Sequence, residues 1–417
     1  MKKKKDILFL CQFFYPEYIS SATLPYDTAK ALSQERFSVG VLCGYPKEYN
    51  DSKSVLMNEN HDGIEIKRLK YIQMKRSNFL GRLINYFSFT VSVLTRFISI
   101  RNYKSIIVYS NPPVLPMIAS LANRIFGTKI IFVSYDIYPE IAIRTNIITE
   151  SSIICKTMRF INRSLYKNVT KVVALSNDMK KFLLTNRSQL TENQITVIPN
   201  WFEDRPIKNI EKSYSNLLFE NIKAKEKLVI SYFGNMGTAQ DLKTLIEAMK
   251  ILKDDTKVIF IFAGHGNKLP LVKEVVQKEE IKNVFIYDFL RGEDFQDALN
   301  ISDVFVVSLE AGLTGLAVPS KTYSYLMAGK PIISIMSKDA DISEDLIDNE
   351  AGYSTEVGDV SSLISAINAL KNDQEKRITM GENARELFRV KYTTEKSTLK
   401  YVNMMKSVLE EKSNVSR

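Results

Sequence analysis

The chain has 417 residues, 45% of them hydrophobic, which is enough to bury two cores of ordinary size. Its three cysteines, Cys11, Cys43 and Cys155, have neither metal-type spacing nor an even count, which argues against a disulfide framework and fits buried thiols in a reducing compartment. The formal net charge of +10 is uneven: residues 1–205 hold 29 Lys and Arg against 16 Asp and Glu, and the remainder 28 against 31.

Met1-Lys-Lys-Lys-Lys5 runs straight into an apolar strand with no hydrophobic leader between, so no secretory signal is expected, and no apolar run is long enough to span a bilayer. The pattern then predicts a strand at 6–11, a helix at 23–34, and strands at 37–43, 63–69, 104–110, 128–134 and 171–175. Helical stretches near 112–126, 153–167 and 178–186 interleave with them. Such alternation predicts a doubly wound parallel sheet. Cys11-Gln-Phe-Phe-Tyr-Pro16 follows the first strand where a dinucleotide fingerprint would stand, which argues against a nucleotide-sugar epimerase or dehydrogenase.

Ile195 to Trp201 ends this half, and a polar stretch from Glu203 to about Ser215 places a domain boundary near residue 205. The alternation restarts with predicted strands at 227–233, 257–263, 283–289, 303–309 and 330–336. Amphipathic helices at 359–371 and 394–411 close the chain, the last expected to pack back on the first domain. The domains are therefore 1–205, with 394–417, and 206–393.

Three loops gather on the carboxyl edge of the second sheet, where ligands of open α/β sheets bind. Gly234-Asn-Met-Gly237 follows its first strand, ahead of a helix expected from about Ala239. Gly264-His-Gly266 follows the second strand, and Pro319-Ser-Lys321 opens a short helix predicted at 322–328. Ser320 is the expected N-cap, and Gly329 and Pro331 end the helix. Glycines admit close backbone approach, and free amides with a lysine beside them favour phosphate. An ordinary βαβ unit with a solvated Lys321 is the alternative.

The chain has two histidines, which leaves little room for a His-based nucleophilic triad. His265 is a candidate for the nucleotide pocket, and His61 reads as a solvated loop residue. Asp136 and Glu140 follow the strand ending at Tyr135 and can face a ligand. Asp136 reads as an acceptor-positioning or proton-accepting group, or else as the cap of the next turn. Arg144 reads as a phosphate contact or a surface cation.

Between Glu65 and Asp136 there is no acid but eleven Lys and Arg, among them Lys67, Arg68, Lys70, Lys75, Arg76, Arg96, Arg101 and Lys104. Such a field attracts an anionic membrane or nucleic acid. Residues 80–100 are apolar with arginines at the flanks, which suits a helix packed on the sheet or lying on lipid at 66–105. With no recognition module visible, a nucleic-acid partner is not expected.

Taken together, these residues resemble the bacterial family 4 glycosyltransferases of GT-B architecture, and among them the WbuB-like group of surface-polysaccharide assembly. The resemblance rests on Phe14-Tyr-Pro16, Asp136-Ile-Tyr-Pro-Glu140, Ile198-Pro-Asn-Trp201, Gly234-Asn-Met-Gly237, Pro319-Ser-Lys321 with Ala328-Gly-Lys-Pro331, and Met380 to Arg385. It implies two Rossmann-like domains facing each other across a cleft. It also implies retaining transfer of a sugar from a UDP-sugar to a polyprenyl-diphosphate-linked saccharide, without metal or cofactor, at the cytoplasmic face of the membrane. Donor contacts would come from Gly234, Asn235, Met236, Gly237, Gly264, His265, Gly266, Pro319, Ser320, Lys321 and Ser324. Catalysis would involve Asp136, Lys321 and Glu140, with Tyr15, Pro16 and Arg144 on the acceptor or phosphate side. Two departures stand out. The family's Glu-x7-Glu positions are Leu316 and Ser324 here, and its phosphate-loop Arg and Lys are Asn235 and Gln240.

Overall fold

A computed structural model describes residues 4–47, 54–74, 79–206 and 226–410, with Phe219 and Ile222. The chain divides into two compact units, Met1–Asn200 with Thr394–Arg417, and Trp201–Thr393.

In the first unit the strands are β1 (Lys5–Leu10), β2 (Val39–Gly44), β3 (Asn58–His61), β4 (Ile64–Leu69), β5 (Tyr103–Tyr109), β6 (Lys129–Ser134), β7 (Lys171–Ala174) and β8 (Ile195–Val197). The helices are α1 (Ser20–Gln34), α2 (Phe79–Leu94), α3 (Pro116–Phe126), α4 (Glu140–Arg144), α5 (Ile153–Asn168) and α6 (Asn177–Asn186). The sheet order is β3-β4-β2-β1-β5-β6-β7-β8. Strands such as β2, buried along their whole length, are what a parallel sheet covered on both faces requires. The connections run outward from β1 to β4 and then return to β5 on the other side of β1, so the topology reverses between β1 and β5.

The edge strand β3 was not expected. It pairs antiparallel with β4 across a tight turn at Asp62-Gly63, both at positive φ (51° and 76°). Asp-Gly is a hairpin signal, masked in the sequence by the polar strand Asn58-Glu-Asn-His61. His61 is accordingly no solvated loop residue: its ring stacks on Tyr15 with centroids 4.1 Å apart.

In the second unit the strands are β9 (Leu228–Asn235), β10 (Val258–His265), β11 (Val284–Tyr287), β12 (Val304–Ser308), β13 (Ile332–Ile335) and β14 (Gly352–Thr355), the last not foreseen. They form one parallel sheet, β11-β10-β9-β12-β13-β14, which reverses between β9 and β12. Its helices are α7 (Lys243–Ile251), α8 (Leu269–Lys278), α9 (Gly292–Ile301), α10 (Lys321–Met327), α11 (Asp341–Asp348), α12 (Val360–Asn372) and α13 (Gln374–Lys391). The final helix, α14 (Thr394–Glu410), belongs to the first unit. There it buries Tyr401, Val402 and Met405, accepts a bond from Lys129 Nζ at Val408 O (2.5 Å), and pairs Lys406 with Glu35 (2.6 Å).

Folding reshapes the charge pattern of residues 66–105. Arg68 is 2% exposed, and its guanidinium donates to Leu56 O and Tyr15 O (both 2.7 Å) and to Glu59 (2.5 Å). Instead of a surface cation it is a buried tie that holds the Tyr15 loop. Lys104 pairs with Asp6 at 2.7 Å. The acids that neutralise these two lie outside the acid-free interval, so sequence order hid the pairing. Lys75 and Arg76 lie outside the described residues. Lys67, Lys70, Arg96 and Arg101 are exposed. No described helix is long and apolar enough to cross a membrane.

Candidate active site

The loops expected at the second sheet's carboxyl edge do meet at its switch point. β9 and β10 stay in register to their ends, with Gly234 opposite Gly264 and Asn235 opposite His265. Met236 N then donates to His265 O (2.7 Å), and Lys268 N donates to Met236 O (2.9 Å). Interlacing this tight requires glycine. A Cβ on Gly264 would lie 2.0 Å from Gly234 O and one on Gly266 2.3 Å from Met236 O, and both residues have positive φ.

β9 and β12 pair only through Val304–Ile230 and Phe305–Ser231 before they part. Tyr325 of α10 fills the gap. Its hydroxyl accepts from Phe233 N (2.6 Å) and donates to Phe233 O (3.1 Å), while its ring stacks on Phe305 at 4.1 Å. The same helix thereby sets its first residue, Lys321, over the glycine loop. The Lys321 ammonium lies 3.7 Å from the centroid of Tyr232 and donates to Asn235 O (3.0 Å). Among the described residues no carboxylate pairs with it. Partial burial without a counter-charge holds its pKa well below the usual lysine value. His265 stands near it with its ring against Phe289, and partial desolvation and the Lys321 charge depress its pKa.

Three expectations for this site need correction. α7 begins at Lys243 and not near Ala239, because the Asp241 carboxylate caps it, accepting from Lys243 N (3.0 Å) and Thr244 N (3.4 Å). Its first amides are therefore occupied, and Gly237 N is likewise taken by Gln240 Oε1 (2.9 Å). Ser320 does not cap α10: its backbone is already helical, and Pro319 O accepts from the Thr322 amide (3.2 Å) and hydroxyl (2.8 Å) instead. Ser324 is 6% exposed and donates its hydroxyl to Lys321 O (2.9 Å), so it presents no free donor to a ribose.

Sequence reasoning missed Lys268 and Glu310. They form an ion pair, and Lys268 Nζ also donates to Gln240 O (2.6 Å), while Glu310 N donates to Ala239 O (2.8 Å). The pair clamps the loop from 236 to 240. Its partners are 42 residues apart, and nothing in the local sequence marks them.

The first unit places Asp136 just past β6, with its amide donating to Ser110 Oγ (3.1 Å). Its carboxylate has no partner among the described residues, so it does not cap the following turn. Burial pushes its pKa up to about 6. Glu140 is not free for chemistry, since it pairs with Arg187 at 2.7 Å, and that guanidinium lies 5.5 Å from the Tyr166 ring centroid. Arg144 is exposed at the end of α4. Tyr15 and Pro16 are half-buried in a loop tied by Arg68 and by the Phe14–Glu17 bonds.

Comparison with known proteins places this geometry. Residues 214–387 match the family described as Glycosyl transferases group 1. "Probable glycosyltransferase WbjE" of Pseudomonas aeruginosa is 25% identical over 295 residues, 70% of this chain and 72% of that one. Among solved structures, Anabaena HepE in complex with UDP and glucose superposes with a TM-score of 0.71 at 16% identity, covering 97% of this chain and 100% of that one. WaaG, a glycosyltransferase involved in lipopolysaccharide biosynthesis, superposes at 0.70 and 11% identity, covering 96% and 99%. Residues 214–387 are thus similar to the group 1 glycosyl transferases, and the fold of the whole chain is that of the GT-B structures.

Proposed function

We propose that this chain transfers a sugar, with retention at the anomeric carbon, from a UDP-sugar to a polyprenyl-diphosphate-linked saccharide in the assembly of capsule, O-antigen or exopolysaccharide. The second unit would hold the donor and the first the acceptor. The observation that carries the reading is the Lys321 ammonium, half-buried and unpaired by any described carboxylate, beside the glycine loops at the β9/β12 switch point. Departure of a nucleoside diphosphate builds negative charge on its phosphates, and a poised ammonium stabilises that charge more than it does the ground state. Asp136, ionised above about pH 6, would orient the acceptor hydroxyl or take its proton. HepE was solved with UDP and glucose, and WaaG serves lipopolysaccharide synthesis, which supports the donor and pathway class.

No metal or other cofactor is required in this scheme, because Lys321 supplies the positive charge. UDP is accordingly expected to raise the melting temperature equally with and without chelator, by the linkage between binding and folding. Stabilisation that disappears in chelator would overturn the metal-free reading.

The enzyme would work at the inner face of the membrane. Leu80, Phe87, Val91 and Leu94 stand exposed along one face of α2. The segment from Lys70 to Met74 is bound along the same helix: Ser92 donates to Lys70 O (2.7 Å), and Asn85 bonds Met74 N and O (2.7 and 2.9 Å). That sets Lys70 and the exposed Ile72 and Met74 beside the apolar face. Each cation near anionic lipid contributes about 1 kcal/mol, and the apolar contact survives salt. Liposome sedimentation should find binding to anionic vesicles that weakens but persists in high salt. Replacing Lys67, Lys70, Arg96 and Arg101 by Ser should reduce that binding severalfold at an unchanged melting temperature. Arg68→Ser should instead cost roughly 3–5 kcal/mol of stability, the usual effect of breaking a buried ion pair. Binding that ignores the four surface substitutions would remove this face from the membrane.

A further inference from the structure

The run Met380 to Arg385 contributes no loop to the candidate site, yet it holds the helix that carries Lys321. Gly381 and Arg385 are four residues apart on α13, and so share one face of that helix. The face meets the carboxyl end of α10. A Cβ on Gly381 would lie 2.4 Å from Gly329 O, so only glycine lets α13 approach the turn that ends α10. Arg385 is 7% exposed and donates from Nη1 to the carbonyl of Met327, the last residue of α10, at 2.7 Å. Its Nη2 donates to the Asp204 carboxylate and to Arg205 O (3.0 Å). Asp204 and Arg205 belong to the segment by which the chain enters the second unit at Trp201. Phe202 N in that segment donates to Tyr392 O (3.1 Å), beside Thr393, where the chain leaves the unit.

One guanidinium therefore joins α10 to the entry segment. The helix has a second anchor in Tyr325, whose hydroxyl is held by the amide and carbonyl of Phe233 (2.6 and 3.1 Å). Lys321 stands four residues before that anchor and Met327 two after it, about 6 and 3 Å along the axis at a rise of about 1.5 Å per residue. A short rigid helix that pivots on Tyr325 returns a shift at Met327 about doubled at Lys321. We infer that Arg385 is a positioning residue for Lys321: by holding Met327 O against Asp204 and Arg205 it fixes the tilt of α10, and with it the place of the ammonium over the Tyr232 ring and beside Asn235 O. The planar fork of a guanidinium can hold both partners at once, which a lysine ammonium on a flexible stem does less well. The positioning stands on the geometry, and its consequence for a bound diphosphate rests on the function proposed above.

Reductive dimethylation of the full chain with isotopically labelled formaldehyde makes each lysine an NMR probe, and Lys321→Arg identifies the Lys321 resonance by its loss. With Nζ 3.7 Å from the Tyr232 centroid, the Lys321 methyl protons should stand upfield of the other lysines, shielded by the ring. Arg385→Met should bring that resonance at least halfway back to the others, and Arg385→Lys should bring it back less. Asp204→Ala removes a side chain that is 44% exposed, so the fold should hold while the resonance moves in the same direction. If Arg385→Met does not fold, Asp204→Ala decides. UDP binding is the second readout. Arg385→Met should weaken it about fivefold in the wild-type background and less than about twofold in Lys321→Met, the non-additivity of residues that act through one another. A Lys321 resonance that is not upfield in the wild type, or that stays in place in the folded variants, would overturn the inference. So would losses of UDP affinity that multiply in the double variant, as lost stability alone would produce. If the resonance moves but UDP does not bind the wild type, the donor reading fails and the positioning stands.

Discussion

Lys321→Met is expected to lower kcat with a UDP-sugar donor by roughly 10²–10³-fold, the usual loss when a poised charge-stabilising donor is removed. The fold should not suffer. Lys321 has no described carboxylate partner, and its pKa is held below the ordinary value by burial. The native state therefore binds fewer protons than the unfolded chain between the depressed pKa and 10.5, and stability rises with pH across that window. Removing the ammonium removes this penalty, so the variant should melt no lower than wild type at pH 7. Donor binding should reverse the shift, because a diphosphate beside the amine favours its charged form. UDP binding should then take up protons at mildly alkaline pH, read in calorimetry as a heat that varies with buffer ionisation enthalpy. A folded Lys321→Met variant with unchanged turnover would take this residue out of the site.

Asp136→Asn should cost about 10²–10⁴-fold in kcat/KM, the range for a positioned proton acceptor. In the wild type, kcat/KM should climb with pH as the carboxyl ionises through about 6, and fall again in the alkaline range as Lys321 loses its proton. The variant should lose the acid limb. Stability should move the other way. The carboxyl pKa is raised from 3.8 to about 6 on folding, so the native state holds the extra proton between those values. Stability is therefore undiminished below about 3.8 and falls as pH rises to 6, by up to about 3 kcal/mol. Asp136→Asn should stabilise the protein at pH 7 by part of that amount, with the gain vanishing in acid. A variant that loses both activity and stability would mark Asp136 as structural.

Much of this protein is legible in one dimension. Apolar runs broken by amphipathic stretches specify two alternating α/β units, because burial on both faces of a parallel sheet needs continuous apolar strands and helices with one apolar stripe. The glycines at 234, 237, 264 and 266 and the Pro319-Ser-Lys321 turn advertise a crowded loop edge, because steric crowding acts on each residue locally.

What the chain order could not disclose is which groups are left unpartnered once it folds. Glu140 and Asp136 are equivalent carboxylates in the sequence. Arg187, 47 residues beyond Glu140, neutralises one and leaves the other free. Arg68 and Lys70 are equivalent cations until Glu59 and the carbonyls of Leu56 and Tyr15 enclose the first. Pairing is a matter of distance in three dimensions, and a charge or amide has a chemical role here only where folding withholds its partner.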